Sequence, residues 1–453
     1  MTESAPSPRS ETESSAGTAS QASHPVEFIS AVNATPNPAV PPRREEPRVT
    51  TAPDFGSAIP ATAAPEVEFI SLSHLNPSTE LNPIPTRGID LKYFRRYVRS
   101  LEEGGYDYTL LPYGSNSADS FVVASAVGQL TERLRPIVAL RPNTTFPTVG
   151  AQKLATLDQL TEGRAVVHLI SGGSDAEQAR QGDYLPKERR YARTSEYIEV
   201  LRRSWTEAAP FSHFGEFYKF DDFGPGFAPY AAPVPISIGG QSDEAFQVGG
   251  EKADIFSFWG EPLDDLRSEI ERVNGIARAA GRTTLPRIWV TFRPIIAQTD
   301  QLAWEKAHEY VAKVAATFAK AGSAAKRFVG TSPQNVGSQR ALAFATRSEL
   351  YDRALWTKTA AVTNAAGAST ALVGSPETVA AAILDYVDRG ASLVSIRGYD
   401  TLADAVDYGR YVLPLVRQEI AHRKATGQRG TLQANHLGNY APEYGQYATA
   451  GSQ

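Results

Sequence analysis

The sequence predicts an α/β protein, a closed (β/α)8 TIM barrel with insertions and disordered termini, and three observations support that prediction. Short β-branched or apolar runs alternate with longer helical patterns, as parallel strands joined by right-handed crossovers require. The runs number eight. No G-x-G-x-x-G motif follows the first of them, which argues against an open dinucleotide-binding sheet. The 453 residues, 42% of them hydrophobic, with 19 Phe, 19 Tyr and 5 Trp, supply a core large enough for one barrel with additions.

Residues 1–64 are dominated by Ala, Pro, Ser, Thr and Glu, too poor in large apolar groups to offset the entropy of ordering, and read as a disordered tail. Within it HPVEFIS at 24–30 echoes APEVEFIS at 64–71, either a local duplication or a segment that competes for the first strand's slot. The barrel is expected over 65–422. VEFISL is its first strand. Leu91, Phe94, Val98 and Leu101 then recur at helical spacing until Gly104-Gly105 stops the helix. YDYTLLP, a helix over 118–129, LRPIVAL, a helix over 147–160 and AVVHLI continue the alternation. PVPISIGG, ADIFSFWG, RIWVTFRPIIA and ASLVSIRGY complete the strands, with helices over 242–250, 261–279, 303–321 and 403–420. FSHFGEFYKF reads as a surface loop or hairpin, and 322–371 fits no strand–helix unit, so it reads as a lid insertion. From Arg423 the polar, Gly/Gln-rich end, 423–453, reads as a loose tail or a subunit-contact arm.

The formal charge of −5 offers no basic surplus for phosphate neutralisation, so no nucleic-acid partner is expected. Zero Cys excludes disulfides, thiolate metal sites and a cysteine nucleophile. No apolar run approaches the roughly 20 residues of a membrane span, and the N-terminus lacks a signal pattern, so a cytoplasmic protein with no membrane partner is the expectation.

In a barrel the C-terminal strand ends carry the site. Those ends are polar and Gly-rich here: Ser73-His74, Gly114 to Ser117, Arg141-Pro142-Asn143, His168 with Ser171-Gly172, Gly239-Gly240-Gln241-Ser242, Trp259-Gly260-Glu261 and Arg397-Gly398-Tyr399. IGGQSDEAF has the form of an anion cradle, in which two glycines admit a ligand to the backbone and Ser242 opens a helix with free N–H groups; a plain αL cap, a Gly pair that merely ends a strand, is the alternative. The seven His show no HxH or HExxH spacing, so no metal is expected, and no GxSxG elbow is present. With few acid–base groups at the strand ends, an organic cofactor is the natural carrier of the chemistry.

At this point the blocks LLPYGSNSADSFVVASAV, IVALRPNTTFPTVGAQKLATLDQLTEGR, HLISGGS, ERRYARTSEY, PISIGGQSDEAF, FSFWGEP, STALVGSPETVAAAI and SIRGY are taken together. Their order and spacing resemble the bacterial-luciferase-like flavin monooxygenases, and TLDQLTEGR with GGQSD and FWGEP is most similar to the two-component alkanesulfonate monooxygenases. The resemblance covers about residues 66–422. It implies reduced FMN delivered by a separate flavin reductase, dioxygen as co-substrate, a small organosulfur substrate, release of sulfite and an aldehyde, and a homo-oligomer, dimer or tetramer.

Residue by residue, the resemblance places Tyr191, Ser242, Gly239, Gly240 and Gln241 at the FMN phosphate, and Arg141, Asn143, His168, Ser171 and Gly172 along the flavin ring and ribityl chain. It makes His74, Ser117, Trp259, Arg293 and Tyr399 the catalytic candidates. Three departures stand out. Ser117 replaces the family's usual cysteine, Thr291 and Arg293 replace an Arg-x-His pair, and VTNAAGAS lacks the usual lid arginine, which Arg293 or Arg340 would have to replace. A luciferase-like enzyme acting on a sulfone or other substrate, one using a deazaflavin, or a non-catalytic flavin-binding paralogue are the alternatives.

Overall fold

The computed structural model describes residues 66–84, 88–224, 226–320, 333–365 and 370–430. The first VEFIS copy, the rest of the N-terminal segment to Pro65 and residues 431–453 lie outside the described residues. In chain order the strands are β1 (Glu68–Leu72), β2 (Tyr108–Leu111), β3 (Arg135–Leu140), β4 (Val166–Leu169), the hairpin β5 (Phe211–Phe214) and β6 (Lys219–Phe223), then β7 (Ile236–Gly239), β8 (Ile255–Trp259) and β9 (Arg287–Phe292). They continue with β10 (Ile295–Ile296), β11 (Leu350–Tyr351), β12 (Leu355–Trp356), β13 (Ala371–Gly374) and β14 (Ala391–Ile396). Strands β1-β14-β9-β8-β7-β4-β3-β2 close a parallel barrel, and each of the eight strands expected from the sequence is one of its staves.

The period-two alternation of the strands sorts their side chains. Ile70, Tyr108, Ile137, Val166, Ile255, Trp289 and Leu393 fill the interior of the barrel, while Phe69, Val138, Val167, Phe256, Val290 and Val394 pack outward against the helices. Each such large side chain contributes about 1.5–3 kcal/mol by leaving water. At the N-terminal strand ends the Glu68 carboxylate accepts from Arg135 Nη1 at 2.9 Å and pairs with Arg287, closing that end with a charge network. The opposite end is left for a ligand.

The helices are α1 (Leu91–Glu103), α2 (Ser120–Leu130), α3 (Pro147–Leu160), α4 (Asp175–Ala179), α5 (Lys187–Thr206), α6 (Asp243–Lys252), α7 (Leu263–Ala279), α8 (Asp300–Lys320), α9 (Val336–Arg347), α10 (Lys358–Val362), α11 (Pro376–Val387), α12 (Thr401–Asp407) and α13 (Leu413–Thr426). A π-helical turn, Tyr408–Val412, joins the last two. Helix α1 begins where the Asp90 side chain accepts from the Lys92 and Tyr93 N–H groups, which satisfies two of the free donors of its first turn.

Beside the short α4 and the α9 and α10 of the insertion, two barrel helices, α5 and α11, escaped the sequence periodicity. Helix α5 buries Arg190 and Arg193 among its inward residues, so its inner face does not read as apolar; α11 is apolar on nearly every side, so it shows no stripe. Arg423 was expected to begin a tail, yet α13 runs on to Thr426, held in part by an Arg423 Nε donation to Glu419 at 2.7 Å.

Of the segment expected as a lid, 322–371, residues 322–332 and 366–369 lie outside the described residues, and the remainder holds β11, β12, α9, α10 and the start of β13. Strands β12 and β11 join β13 and β10 in a small sheet of order β10-β13-β12-β11, which packs Trp356, Val373 and Ile295 against Ala303, Ala307 and Tyr310 of α8. Helix α9, by contrast, starts at the barrel mouth.

Candidate active site

A cavity of about 830 Å³ opens at the C-terminal ends of the barrel strands, a volume in the range of cofactor and substrate clefts. One side of it has the form of an anion cradle. Strand β7 ends at Gly239, and Gly240 follows with φ 141°, a backbone state that L side chains rarely adopt. A Cβ at Gly240 would lie 2.6 Å from the Tyr191 hydroxyl, so a bare backbone is required there. Ser242 caps α6, its Oγ accepting the Ala245 N–H at 3.4 Å, and the N-terminus of α6 faces the cavity. Burial pushes the Tyr191 phenol up to about 12, which keeps it a neutral donor. Lys187 and Arg190, one turn apart at the start of α5, border the same space, and Arg190 is fixed by its Nε donation to Ser171 O at 2.9 Å and its Nη1 donation to Asp175 at 2.8 Å.

The floor is built from β4, β9 and the residues that follow β3 and β4. His168 on β4 shares a 2.9 Å hydrogen bond with the Ser237 hydroxyl and lies 5.2 Å, centroid to centroid, from Trp289. Burial holds its imidazole down at about 4, so it is uncharged at neutral pH. The Trp289 Nε1 is a buried donor with no partner among the described residues, although Trp289 borders the cavity. Gly172 turns with φ 89°, and a Cβ there would meet Gln178. Ser171 Oγ lies 2.9 Å from Thr194 Oγ1. At the end of β3, Arg141 donates to Gln181 and Glu177 at 3.0 and 2.9 Å and lies over the Tyr113 ring.

The mouth is bounded by Gln334 to Ser338, the entry to α9. Gln334 Oε1 accepts the Asp175 N–H at 2.8 Å, spanning to the far rim, and a Cβ at Gly337 would lie 2.7 Å from the Trp259 ring. Arg340 does not line the cavity. Its Nε and Nη2 donate to the two Glu261 oxygens at 2.8 and 2.6 Å, its Nη1 lies 3.6 Å from Glu269, and Glu261 also accepts from Gln241 at 2.6 Å. This bidentate pair clamps α9 to the end of β8.

Behind the cavity lies a polar cluster in which buried Arg293 and Tyr399 meet the partly exposed His74, Glu80 and Arg397. Arg293 Nη2 lies 2.6 Å from Glu80 Oε2, and the guanidinium carbon sits 3.7 Å from the centre of the Tyr399 ring. Arg397, which borders the cavity, lies 3.9 Å from Glu80 Oε1. Burial, Arg397 and Arg293 together hold His74 down at about 3. The two arginines keep Glu80 below the usual carboxylate range against its own burial.

Of the residues nominated from the sequence, Arg141, His168, Ser171, Gly172, Tyr191, Gly239, Gly240, Gln241, Ser242 and Trp259 all line this one cavity. His74, Arg293 and Tyr399 converge in the cluster behind it. Asn143 and Ser117 stand outside the lining. Neither side-chain amide atom of Asn143 has a partner among the described residues. Ser117 is exposed, its Oγ donating to Gly114 O at 3.0 Å, and it serves a turn. Sequence reasoning missed Lys187, Arg190, Trp289, Arg397 as a site residue, Glu80 and the entry to α9. Arg397 alone carried a signal, as the residue directly after the last strand.

Residues 69–393 match the family described as luciferase-like monooxygenase. Among solved structures, riboflavin lyase with modified FMN and its substrate riboflavin has a TM-score of 0.64 at 18% identity, covering 83% of this chain and 97% of that one. EDTA monooxygenase from Chelativorans sp. BNC1 has a TM-score of 0.60 at 18% identity, covering 81% and 100%. An F420-dependent secondary alcohol dehydrogenase in complex with an F420-acetone adduct has a TM-score of 0.56 at 17% identity, covering 78% and 99%. No helix of the described residues is long and apolar enough to cross a membrane.

Proposed function

This chain belongs to the luciferase-like monooxygenase family, and from that premise we propose that it takes reduced FMN from a separate flavin reductase and uses dioxygen to oxidise a small organosulfur compound. An alkanesulfonate, converted to an aldehyde and sulfite, is the substrate class proposed. The observation that carries the reading is the polarity of the cavity: a phosphate-type cradle on one side, and Arg397 at the back with Arg293 behind it. Gly240, Ser242, Tyr191 and Lys187 would hold a phosphate, the chemistry of helix N-termini and neutral hydroxyl donors. The bare backbone at Gly240 and the unpartnered Trp289 Nε1 fit a flavin mononucleotide.

When bound, reduced FMN supplies the electrons that activate dioxygen. The protein's own part is to bind, orient and dry the site. Neutral His168 and the Trp289 ring present an uncharged surface, and Trp259 with the entry to α9 shields the mouth from water. Arg397 and Arg293 fix an anionic group at the back, where His74, uncharged, is a hydrogen-bonding neighbour. The proposal includes a homo-oligomeric, cytoplasmic enzyme.

The test is sulfite release from a panel of alkanesulfonates by the purified protein with a generic FMN reductase, NADH and air. Sulfite above the no-enzyme control is expected. If reduced FMN binds and no sulfite appears, the substrate class falls. A second reading, a luciferase-like oxidoreductase acting on a sulfone or using a deazaflavin, is favoured by Arg340, whose ion pairs with Glu261 and Glu269 keep it from serving as the missing lid arginine. Tighter binding of a reduced deazaflavin than of reduced FMN would select it.

A further inference from the structure

We infer that Arg293 and Arg397 form a subsite for the oxyanion of the substrate, and that the Glu80 carboxylate occupies it as an internal surrogate which the substrate displaces. This deepens the organosulfur reading and rests on it. The subsite is made by strand pairing. Phe292 of β9 and Ile396 of β14 are register partners, so the next residue of each strand, Arg293 and Arg397, reaches the barrel rim beside the other. Two adjacent guanidiniums, Arg293 buried and Arg397 partly exposed, repel one another and are held in place by an anion between them. Burial and Arg293 hold Arg397 down at about 10, which fits that proximity.

Glu80 provides an anion, but an incomplete one. It meets Arg293 through Nη2 at 2.6 Å, while Arg293 Nε and Nη1 are buried with no partner among the described residues. A guanidinium well matched to a carboxylate uses two parallel N–H donors. The His74 Nε2 is likewise buried and unpartnered. A sulfonate, with three oxygens around one centre, can reach donors that one tethered carboxylate leaves idle.

Glu80 is also placed to leave. It sits on a turn whose hydrogen bonds are largely its own: Ser78 N–H to Asn76 Oδ1 at 3.1 Å, Thr79 N–H to Asn82 O at 3.2 Å, Asn82 N–H to Thr79 Oγ1 at 3.0 Å and Ile84 N–H to Ser78 Oγ at 3.0 Å. Once the carboxylate leaves, the tie to Arg293 is gone and only these local bonds hold the turn, so its amides open more readily.

The experiment is calorimetric titration of methanesulfonate into the full-chain, flavin-free protein, wild type against Glu80→Gln. A surrogate that leaves the subsite free about a tenth of the time predicts roughly tenfold tighter binding to Glu80→Gln, and loss of binding in Arg293→Met. Equal affinity in wild type and Glu80→Gln, or no binding to either, overturns the inference. Acetate serves as the second probe, and acetate binding as tight as methanesulfonate would overturn the oxyanion geometry. Should Glu80→Gln fail to fold, hydrogen–deuterium exchange on the wild type decides: with saturating methanesulfonate the amides of 78–84 should exchange faster, and unchanged or slower exchange refutes displacement. Neither readout needs turnover. Tight anion binding without sulfite release would therefore sink the desulfonation reading and leave the subsite standing.

Discussion

Replacing Gly240 with Ala tests the cradle most directly. The substitution places a Cβ 2.6 Å from the Tyr191 hydroxyl and 2.9 Å from the Ala245 Cβ, at a φ of 141°. The backbone state alone costs about 1–3 kcal/mol for a residue with a side chain. Tyr191 is buried on α5 and Ala245 lies in the first turn of α6, so neither yields freely, and the turn carrying Gln241 and Ser242 must shift instead. Losing one charge-assisted hydrogen bond to a phosphate removes about 1.5–3 kcal/mol, or roughly ten- to a hundredfold in affinity. The assay is anaerobic fluorescence titration of reduced FMN and of reduced riboflavin, which lacks the phosphate. The variant should lose FMN affinity by that factor and keep most of its riboflavin affinity. An equal loss for both ligands would show general damage to the barrel mouth, and an unchanged FMN affinity would remove Gly240 from the phosphate site; either refutes the reasoning.

Three further outcomes follow from the geometry. Arg340→Met leaves Glu261 buried without its bidentate partner, which should cost about 1–3 kcal/mol because Arg340 is itself partly exposed; a melting midpoint equal to wild type would show that α9 is held by other contacts, and the double variant with Glu261→Gln should recover part of the loss. His168 has its imidazole depressed to about 4 in the folded chain against an ordinary value of 6.5, so the unfolded chain binds the extra proton between those values. The corresponding stability is complete above about pH 6.5, falls as the pH drops towards 4 and amounts at most to about 3 kcal/mol; urea melts should show His168→Gln less sensitive than wild type across that window, and identical slopes would contradict it. Removing residues 1–60 should leave the thermal midpoint of the barrel unchanged, and a large drop would overturn the reading of that segment as a tail.

Most of the cavity was legible in advance because barrel geometry converts a one-dimensional question into a positional one. Once β4, β7 and β8 are recognised, the residues after them, Ser171-Gly172, Gly240 to Ser242 and Trp259-Gly260, must gather at one end. Ser117 shows the limit of that logic. It follows a strand and matches a family position, yet the Gly114–Ser117 turn directs it to solvent. Arg340 shows another, since nothing local distinguishes an arginine that reaches a ligand from one that clamps Glu261.

The amino-acid sequence by itself determined the barrel, the strand ends that form its mouth and the glycine-bearing cradle, since hydrophobic period, helix stops and turn residues are local properties. The tertiary structure alone decided the charge cluster, the inward face of α5 with its arginines and the small sheet packed on α8. Arg293 and Arg397 come together only because β9 and β14 are neighbours in the closed sheet, and Glu80 meets them only because the turn after β1 folds back over that rim. Parallel pairing between distant segments leaves no periodic trace in either segment, so the contacts it creates emerge only when the barrel closes.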